Sequence, residues 1–338
     1  MSIQIGFIGA GGRARSHMRV LQAIEDVEIV AICDVRRESA EQAAGEYGAR
    51  PYTDHRMMLD RESLSAMYVC VPTFAHTDAE ILAVRQGVHL FVEKPVAPTM
   101  EKALEILEAV REAGVFTCVG YQLRYSGIAQ QAKAFLEGRK IGMAAVHRWG
   151  GLPGTPWWRV MAQSGGQIVE QTTHQVDLLR FLVGEVSEVH AYYALRTLDD
   201  EENLDIPDVH SINLKFETGA IGSLSSTCTF RNGGGTGLMS FVLKDMRAEF
   251  GADGLVVHPA SAADPGPVHR DAGDIDEVFV DAIRKGDGSA ILSDYEDGVR
   301  SLDVTLAANR SADSGAPEAP FFSSTGGAGR EPAAHFRV

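Results

Sequence analysis

Through the first 120 residues, apolar side chains gather in short unbroken runs, and each run gives way to a segment where they return every three or four positions. The runs Ile3–Ile8, Val27–Cys33, Ala66–Val71, Gly87–Val92 and Val115–Val119 predict strands. The periodic segments predict helices over Arg15–Ile24, Ser39–Tyr47, Thr77–Arg85 and Glu101–Ala113, the last with Thr99 as its N-cap. Buried strands alternating with amphipathic helices predict a parallel, doubly wound α/β sheet. Past Gly120 the period changes. Helices are expected over Gly127–Glu137 and Glu170–Leu182, and alternation at spacing two marks strands Ser187–Leu195, His210–Phe216, Ile221–Phe230 and Leu238–Leu243, with Thr218 and Gly219 turning one hairpin. This predicts a second α/β domain with an open, largely antiparallel sheet, helices on one face and the other face available to a second subunit. Helices over Ile275–Lys285 and Asp294–Ala308, the latter capped by Ser293, would close it. The expected division is 1–120, 121–310 and a Gly/Ser/Pro-rich tail over 311–338, draped on the surface or disordered.

Composition changes this picture little. The chain has 338 residues, 45% hydrophobic and 23% charged, as in ordinary globular proteins. Its net charge of -15 argues against a general affinity for nucleic acid or anionic membrane. The first residues run directly into a strand, so neither a signal peptide nor an anchor is expected, and the expected location is the cytoplasm. Cys33, Cys70, Cys118 and Cys228 lie in apolar runs without metal-ligand spacing, and read as buried, reduced small hydrophobes.

Three stretches carry chemistry. Gly9-Ala10-Gly11-Gly12-Arg13-Ala14 follows the first strand and opens a helix, fitting G-x-G-x-x-G/A. Gly9 would permit the tight turn, Gly11 the approach of a pyrophosphate, and Ala14 close packing of helix on strand; the anion would sit at the helix amino terminus. Asp34, at the end of the second strand, stands where an acid would bind adenosine ribose hydroxyls and favour NAD, whereas Arg36 and Arg37 beside it could accept the 2′-phosphate of NADP. Val92-Glu93-Lys94-Pro95-Val96 ends another strand, and Pro95 biases Lys94 toward an extended conformation at the sheet's carboxyl edge. Taken alone, Lys94 reads better as an ordinary surface lysine in a strand-to-helix turn; the rest of the chain reverses that preference. In Gly165 to Asp177, a continuous helix would put Glu170, His174 and Asp177 on one face, so that a carboxylate could orient an imidazole suited to general base work. A helix-stabilising Glu–His pair remains the alternative; a zinc site lacks a third ligand nearby.

Together Gly9-x-Gly11-x-x-Ala14-x-x-His17, Asp34, Pro72 with His76, Glu93-Lys94-Pro95, and Gly165-Gly166 leading to His174 and Asp177 resemble the glucose-fructose oxidoreductase / inositol dehydrogenase / rhizopine catabolism (Gfo/Idh/MocA) family over residues 3 to 310. The resemblance implies a Rossmann domain, then an α/β domain whose open sheet carries a dimer or tetramer interface, with NAD or NADP bound in the cleft. It implies that Lys94 bonds the reacting oxygen, that His174 is the general acid/base and that Glu93 positions the nicotinamide turn. Tyr121, Gln122, Arg124, Trp157, Trp158 and Arg159 become candidates for a sugar or polyol site. The chain departs from the family pattern at Glu170, where Asp is usual, and at Thr172, where Gly is frequent. The implied activity is an NAD(P)-dependent sugar or polyol dehydrogenase. Two alternatives stay open: a glycosidase with internally recycled NAD, and a non-catalytic nicotinamide or sugar sensor.

Overall fold

In the computed structural model, which describes residues 2–251, 254–267 and 272–324, the apolar runs of the first 120 residues are strands of one parallel sheet. The elements in order are β1 (Ile3–Ile8), α1 (Gly12–Leu21), β2 (Val27–Cys33), α2 (Arg37–Tyr47), β3 (Arg50–Tyr52), α3 (His55–Arg61), β4 (Ala66–Val69), α4 (Ala79–Arg85), β5 (His89–Val92), α5 (Met100–Ala113) and β6 (Thr117–Val119). The strand order β3-β2-β1-β4-β5-β6 reverses direction of travel between β1 and β4. In such sheets, ligands bind beyond the strand carboxyl ends at this reversal. Thr99 does cap α5, its hydroxyl accepting from the Lys102 N–H at 3.3 Å. The edge strand β3 had no apolar signature, and Pro51 is tolerated there because an edge strand needs fewer donors.

After Gln122 the chain forms α6 (Gly127–Leu136), β7 (Met143–Gly151), α7 (Met161–Ser164), α8 (Gln167–Glu170), α9 (Thr173–Val183), β8 (Val186–Ala194), β9 (Val209–Phe216), β10 (Ile221–Phe230), β11 (Thr236–Leu243), β12 (Met246–Gly251) and β13 (Gly254–His258). Seven strands pair in the order β13-β12-β11-β7-β10-β9-β8, antiparallel except for β7 against β10. The sheet is therefore mixed, and β7, β12 and β13 add to the four strands expected. Alternation is visible in the burial of β9 and β10: Ile212, Leu214, Leu224 and Cys228 are buried, whereas Ser211, Asn213, Ile221 and Ser223 are exposed. The expected helix 170–182 is two helices, α8 and α9, a break that matters for the site.

The chain then returns. Among the described residues, 2–122 and 273–299 make one compact unit and the rest make the other. Two helices complete the structure, α10 (Ile275–Lys285) and α11 (Tyr295–Ser314). In α10, Asp274 accepts from the Asp276 N–H at 2.9 Å, acids occupy the first turn, and Arg284 and Lys285 the last, matching the helix dipole at both ends. In α11 the cap is Asp294, which accepts from the Asp297 N–H at 2.9 Å, rather than Ser293, whose hydroxyl bonds the Asp297 carboxylate. The helix runs to Ser314, past the expected start of the tail, and Glu318 bridges back to Val189. The expected tail over 325–338 lies outside the described residues.

In the second unit, the connection between β8 and β9 is pinned by one buried carboxylate. Asp208 accepts from the N–H groups of Arg196 (2.7 Å), Thr197 (2.7 Å) and Leu198 (2.9 Å) and from the Thr197 hydroxyl (2.5 Å). Burial opposes its ionisation, but these bonds outweigh burial and hold its pKa below the usual value. Beneath them Leu198, Ile206 and Cys228 form a small core with Leu152, Met161 and Leu204. Asp208→Ala is expected to lower the unfolding free energy by about 3 kcal/mol, because several buried donors lose a charged acceptor; Asp208→Asn should lose less. Because the folded pKa is lowered, this stabilisation is present above the ordinary aspartate value of about 3.9 and lost as pH falls through the folded value. Urea unfolding of the three proteins between pH 7 and 3 checks both, and an unchanged midpoint for Asp208→Ala would contradict the assignment.

Candidate active site

The first unit builds the turn after β1 from nearly bare backbone. Gly9 is required by the chain itself: its φ is +95°, and a Cβ there would lie 2.2 Å from the Cys70 carbonyl oxygen. At Gly11 and Gly12 a Cβ would meet nothing within 4 Å. These two glycines therefore answer no packing demand of the described chain, which fits a backbone kept bare for a ligand. Helix α1 begins at Gly12, three residues before its expected start, and Gly11 caps it without a side-chain bond. Ala14 is fully buried, as close helix–strand packing requires. Asp34 ties this turn to β2: one oxygen accepts from the Ala10 N–H at 3.0 Å and the other from the Arg36 N–H at 2.9 Å. Each oxygen keeps a lone pair for a hydroxyl. The Arg36 guanidinium is exposed and 3.8 Å from the same carboxylate.

Glu93, Lys94 and Pro95 follow β5, and the Lys94–Pro95 peptide is cis. Glu93 is buried and accepts from Arg13 Nε at 2.7 Å, bonds His17 Nε2 at 2.9 Å, and accepts from the Lys94 N–H at 3.1 Å. Gly120 leaves it room, since a Cβ at that position would sit 2.7 Å from the carboxylate. His17 Nδ1 in turn lies 2.8 and 2.9 Å from the two oxygens of Asp276, at the start of α10. Aromatic rings of Tyr68 and Phe91 stand 5.7 and 4.8 Å from the imidazole. Burial alone would lower the His17 pKa, but the bonds to Asp276 and Glu93 outweigh it and hold the imidazolium to about 9. Burial likewise opposes ionisation of Glu93, yet His17 and Arg13 bring its pKa down to about 2. Asp276 goes the other way, its pKa raised by burial in spite of His17. Nearby, His76 Nδ1 bonds the buried Glu80 carboxylate at 2.6 Å, which fixes the ring near Pro72 in the turn after β4.

The second unit carries the other segment. Gly165 and Gly166 have φ of +71° and +85° and link α7 to α8. Glu170 ends α8 and is buried. The Thr172 N–H then reaches back five residues to the Gln167 carbonyl at 3.0 Å, a π-type step, before α9 resumes at Thr173. Glu170 and His174 are thus not neighbours on one continuous helix, as their spacing had suggested. Thr172 does not line an open space: it is fully buried, and its hydroxyl bonds Ser226 on β10 at 2.7 Å. Asp177 is engaged bidentately by Arg124, at 2.6 and 2.8 Å, and also accepts from the Ser301 hydroxyl at 2.8 Å. Both partners of this ion pair are buried, which gives Arg124 a structural task in joining the segment after Gln122 to α9. Arg159 donates to the Pro153 carbonyl and to Glu201, each at 2.9 Å, while Trp157 and Trp158 stack at 6.0 Å. Tyr121 is fully buried and Gln122 partly so, at the end of the first unit's continuous chain.

Sequence reasoning missed Asp276 and Glu80. The only local signal for Asp276 was an acid in the first turn of an expected helix, and its partner lies 259 residues away. No cluster of metal-ligating side chains occurs among the described residues.

A family model described as "Oxidoreductase family, NAD-binding Rossmann fold" matches residues 3–121, and one described as "GFO/IDH/MocA C-terminal domain" matches residues 130–247. The myo-inositol 2-dehydrogenase of Thermotoga maritima is 28% identical over 230 residues, covering 67% of this chain and 68% of that protein. The 4-carboxy-2-hydroxymuconate-6-semialdehyde dehydrogenase of a Sphingobium species is 27% identical over 297 residues, covering 84% and 91%. Among solved structures, the WlbA dehydrogenase of Bordetella pertussis, in complex with NADH and UDP-GlcNAcA, superposes with a TM-score of 0.83 at 27% identity, covering 94% of this chain and 99% of that one.

The buried His17 makes stability depend on pH. Its folded pKa is raised, so its contribution, roughly 3 kcal/mol from a shift of this size, is fully present below about pH 6.5 and lost as pH rises to about 9. The advantage in melting temperature of the wild type over His17→Gln should therefore shrink between pH 6.5 and 9. A constant difference across that range would show that His17 is buried neutral.

Proposed function

The chain belongs to the Gfo/Idh/MocA oxidoreductases, and on that premise we propose that it transfers a hydride between a carbon-bound hydroxyl of a sugar, cyclitol or related polyol and a nicotinamide cofactor. The observation that carries this reading is the pairing of bare backbone at Gly11 and Gly12 with the Asp34 carboxylate that anchors the same turn. The turn and the α1 amino terminus would hold the pyrophosphate, with Arg13 beside it, and Asp34 the adenosine ribose. A carboxylate there repels a 2′-phosphate, so NAD is favoured over NADP. Pro72, His76 and Glu93 would line the nicotinamide end. Bound there, NAD supplies the hydride chemistry.

The protein's own part is proton transfer. In the oxidation direction His174 would take the hydroxyl proton, and Lys94 would bond the reacting oxygen through its ammonium. Glu170 would orient the reacting group; its extra methylene relative to aspartate shifts the carboxylate by about a bond length, enough to alter substrate choice. Tyr121, Gln122 and Trp158 are the remaining substrate candidates, with Arg124 and Arg159 supporting them through Asp177 and Glu201. The open face of the second sheet, with Trp149, Tyr192, Ile221 and Val242 exposed, would pair with a second copy in a dimer or tetramer.

Purified protein incubated with NAD or NADP and a panel of aldoses, inositols and anhydrosugars should form reduced nicotinamide, chiefly from NAD. Lys94→Ala and His174→Ala should each cut turnover by about 100-fold to 10,000-fold, with cofactor dissociation constants changed by less than about 3-fold. Undiminished turnover in Lys94→Ala would remove the proton-transfer role; sugar release without reduced cofactor would point to the glycosidase alternative. Light scattering should give at least a dimer mass, reduced by Tyr192→Asp with Ile221→Asp. A monomeric wild type would overturn the oligomer reading.

A further inference from the structure

One arginine in the second unit lacks the carboxylate partner that three of its neighbours in the unit possess. Arg124 pairs with Asp177, Arg180 with Glu185, and Arg159 with Glu201, at 2.6, 2.7 and 2.9 Å. Arg148, on β7, has neither a hydrogen-bond nor an ion-pair partner among the described residues, and its Nη1 is enclosed with no acceptor. Burial lowers the pKa of its guanidinium, and the one anionisable group acting on it is the Cys228 thiol. Burial pushes that thiol to about 11, so it is neutral at pH 7 and offers no counter-charge. Arginine does not escape such a position by losing its proton. Enclosing Nη1 without an acceptor is costly even though Arg148 as a whole is only half-buried, and an anion that reaches it offsets that cost.

The position says where the counter-ion would come from. Arg148 alternates along β7 with the buried Ala144 and Val146, so it lies on the helix-covered face of the sheet. Its register partner on β10 is Ser226, the residue whose hydroxyl bonds Thr172, which stands between Glu170 and His174. The guanidinium runs along the strand toward its carboxyl end: a Cβ at Gly150 would lie 2.1 Å from Nη1, so the glycine makes room for it. A planar fork is thus held beside the strand that anchors the proposed acid/base segment.

We propose that Arg148 is a specificity-determining residue that binds a carboxylate of the substrate, and that the substrate class is a sugar acid, a polyol bearing both the oxidisable hydroxyl and a carboxylate. Two parallel N–H···O bonds satisfy the guanidinium and fix the orientation of the ligand. This deepens the oxidoreductase reading above and rests on it for the word substrate; the binding claim stands on Arg148 alone.

The test pairs acids with their neutral counterparts. D-glucuronate, D-galacturonate and D-gluconate are compared with D-glucose, D-galactose and myo-inositol, by reduced-nicotinamide formation and, independently of turnover, by calorimetric binding to the NAD-loaded protein. Expected is a preference for acids in kcat/KM of about 100-fold or more, lost in Arg148→Gln and partly kept in Arg148→Lys, which retains charge without the fork. Ligand-free Arg148→Met should melt no lower than the wild type, because it removes an enclosed Nη1 that has no acceptor. A drop of several degrees would reveal a structural partner and overturn the proposal. So would turnover of neutral polyols with an acid-to-neutral ratio unaltered by Arg148→Gln, which leaves the oxidoreductase reading intact, or a preference for sugar phosphates over the acids. Acid binding that needs Arg148, without any reduced nicotinamide, would uphold the carboxylate site and sink the dehydrogenase instead.

Discussion

The Glu93 carboxylate is the constraint on which the first unit depends. It is buried and ionised at once, a combination that needs compensation from every side. Arg13 and His17 supply charge from α1, and the Lys94 N–H supplies a donor from the turn itself. Asp276 then balances His17 from α10, so three segments far apart in the chain meet at one charge-balanced cluster. The consequence for chemistry is positional. Lys94 follows Glu93 directly, and a turn whose preceding side chain is fixed by three bonds has little freedom to drift. Arg13, tied to the same carboxylate, links that turn to the glycine-rich loop.

A second constraint shapes the other unit. The segment from Gly165 to Asp177 must leave a helical path at Gln171 and Thr172 and regain it at Thr173. The sheet holds this detour, through the Thr172–Ser226 bond, and α11 holds its beginning, through the Asn309 amide donating to the Gly165 carbonyl at 2.9 Å. Such π-type steps often occur at functional sites, because they turn a side chain out of helical register without ending the helix. Glu170 and His174 are the residues on either side.

Much of this was legible in the sequence. The five apolar runs before Gly120, the glycine fingerprint and Asp34 are local patterns, and local patterns survive folding when burial agrees with them. The exceptions have physical causes. Strand β3 is short, polar and at an edge, so no apolar run announces it. Strand β7 carries Arg148 and four glycine or alanine positions, Ala144, Ala145, Gly150 and Gly151, which hides a central strand. The break in 170–182 was hidden because Glu170 and His174 fit a helical period perfectly well, while the Thr172 hydroxyl's partner lies 54 residues away. Asp276 is the same case on a larger scale: an ion pair formed across the whole chain leaves no trace in any window of sequence.

The two units also differ in how their buried charges are matched. In the first, the buried ionisable groups around the proposed cofactor site, Glu93 with His17 and Asp276, and His76 with Glu80, find partners within the unit. A platform of that kind is indifferent to which molecule is oxidised, since its geometry is fixed before any ligand arrives. In the second, Arg124 and Arg159 are likewise committed to carboxylates, but Arg148 is not. Specificity arises where a protein leaves a polar group that only the right ligand can satisfy, because a ligand lacking the complement then leaves it unpaired. An unmatched charge among matched ones is therefore where selection among related polyols would reside.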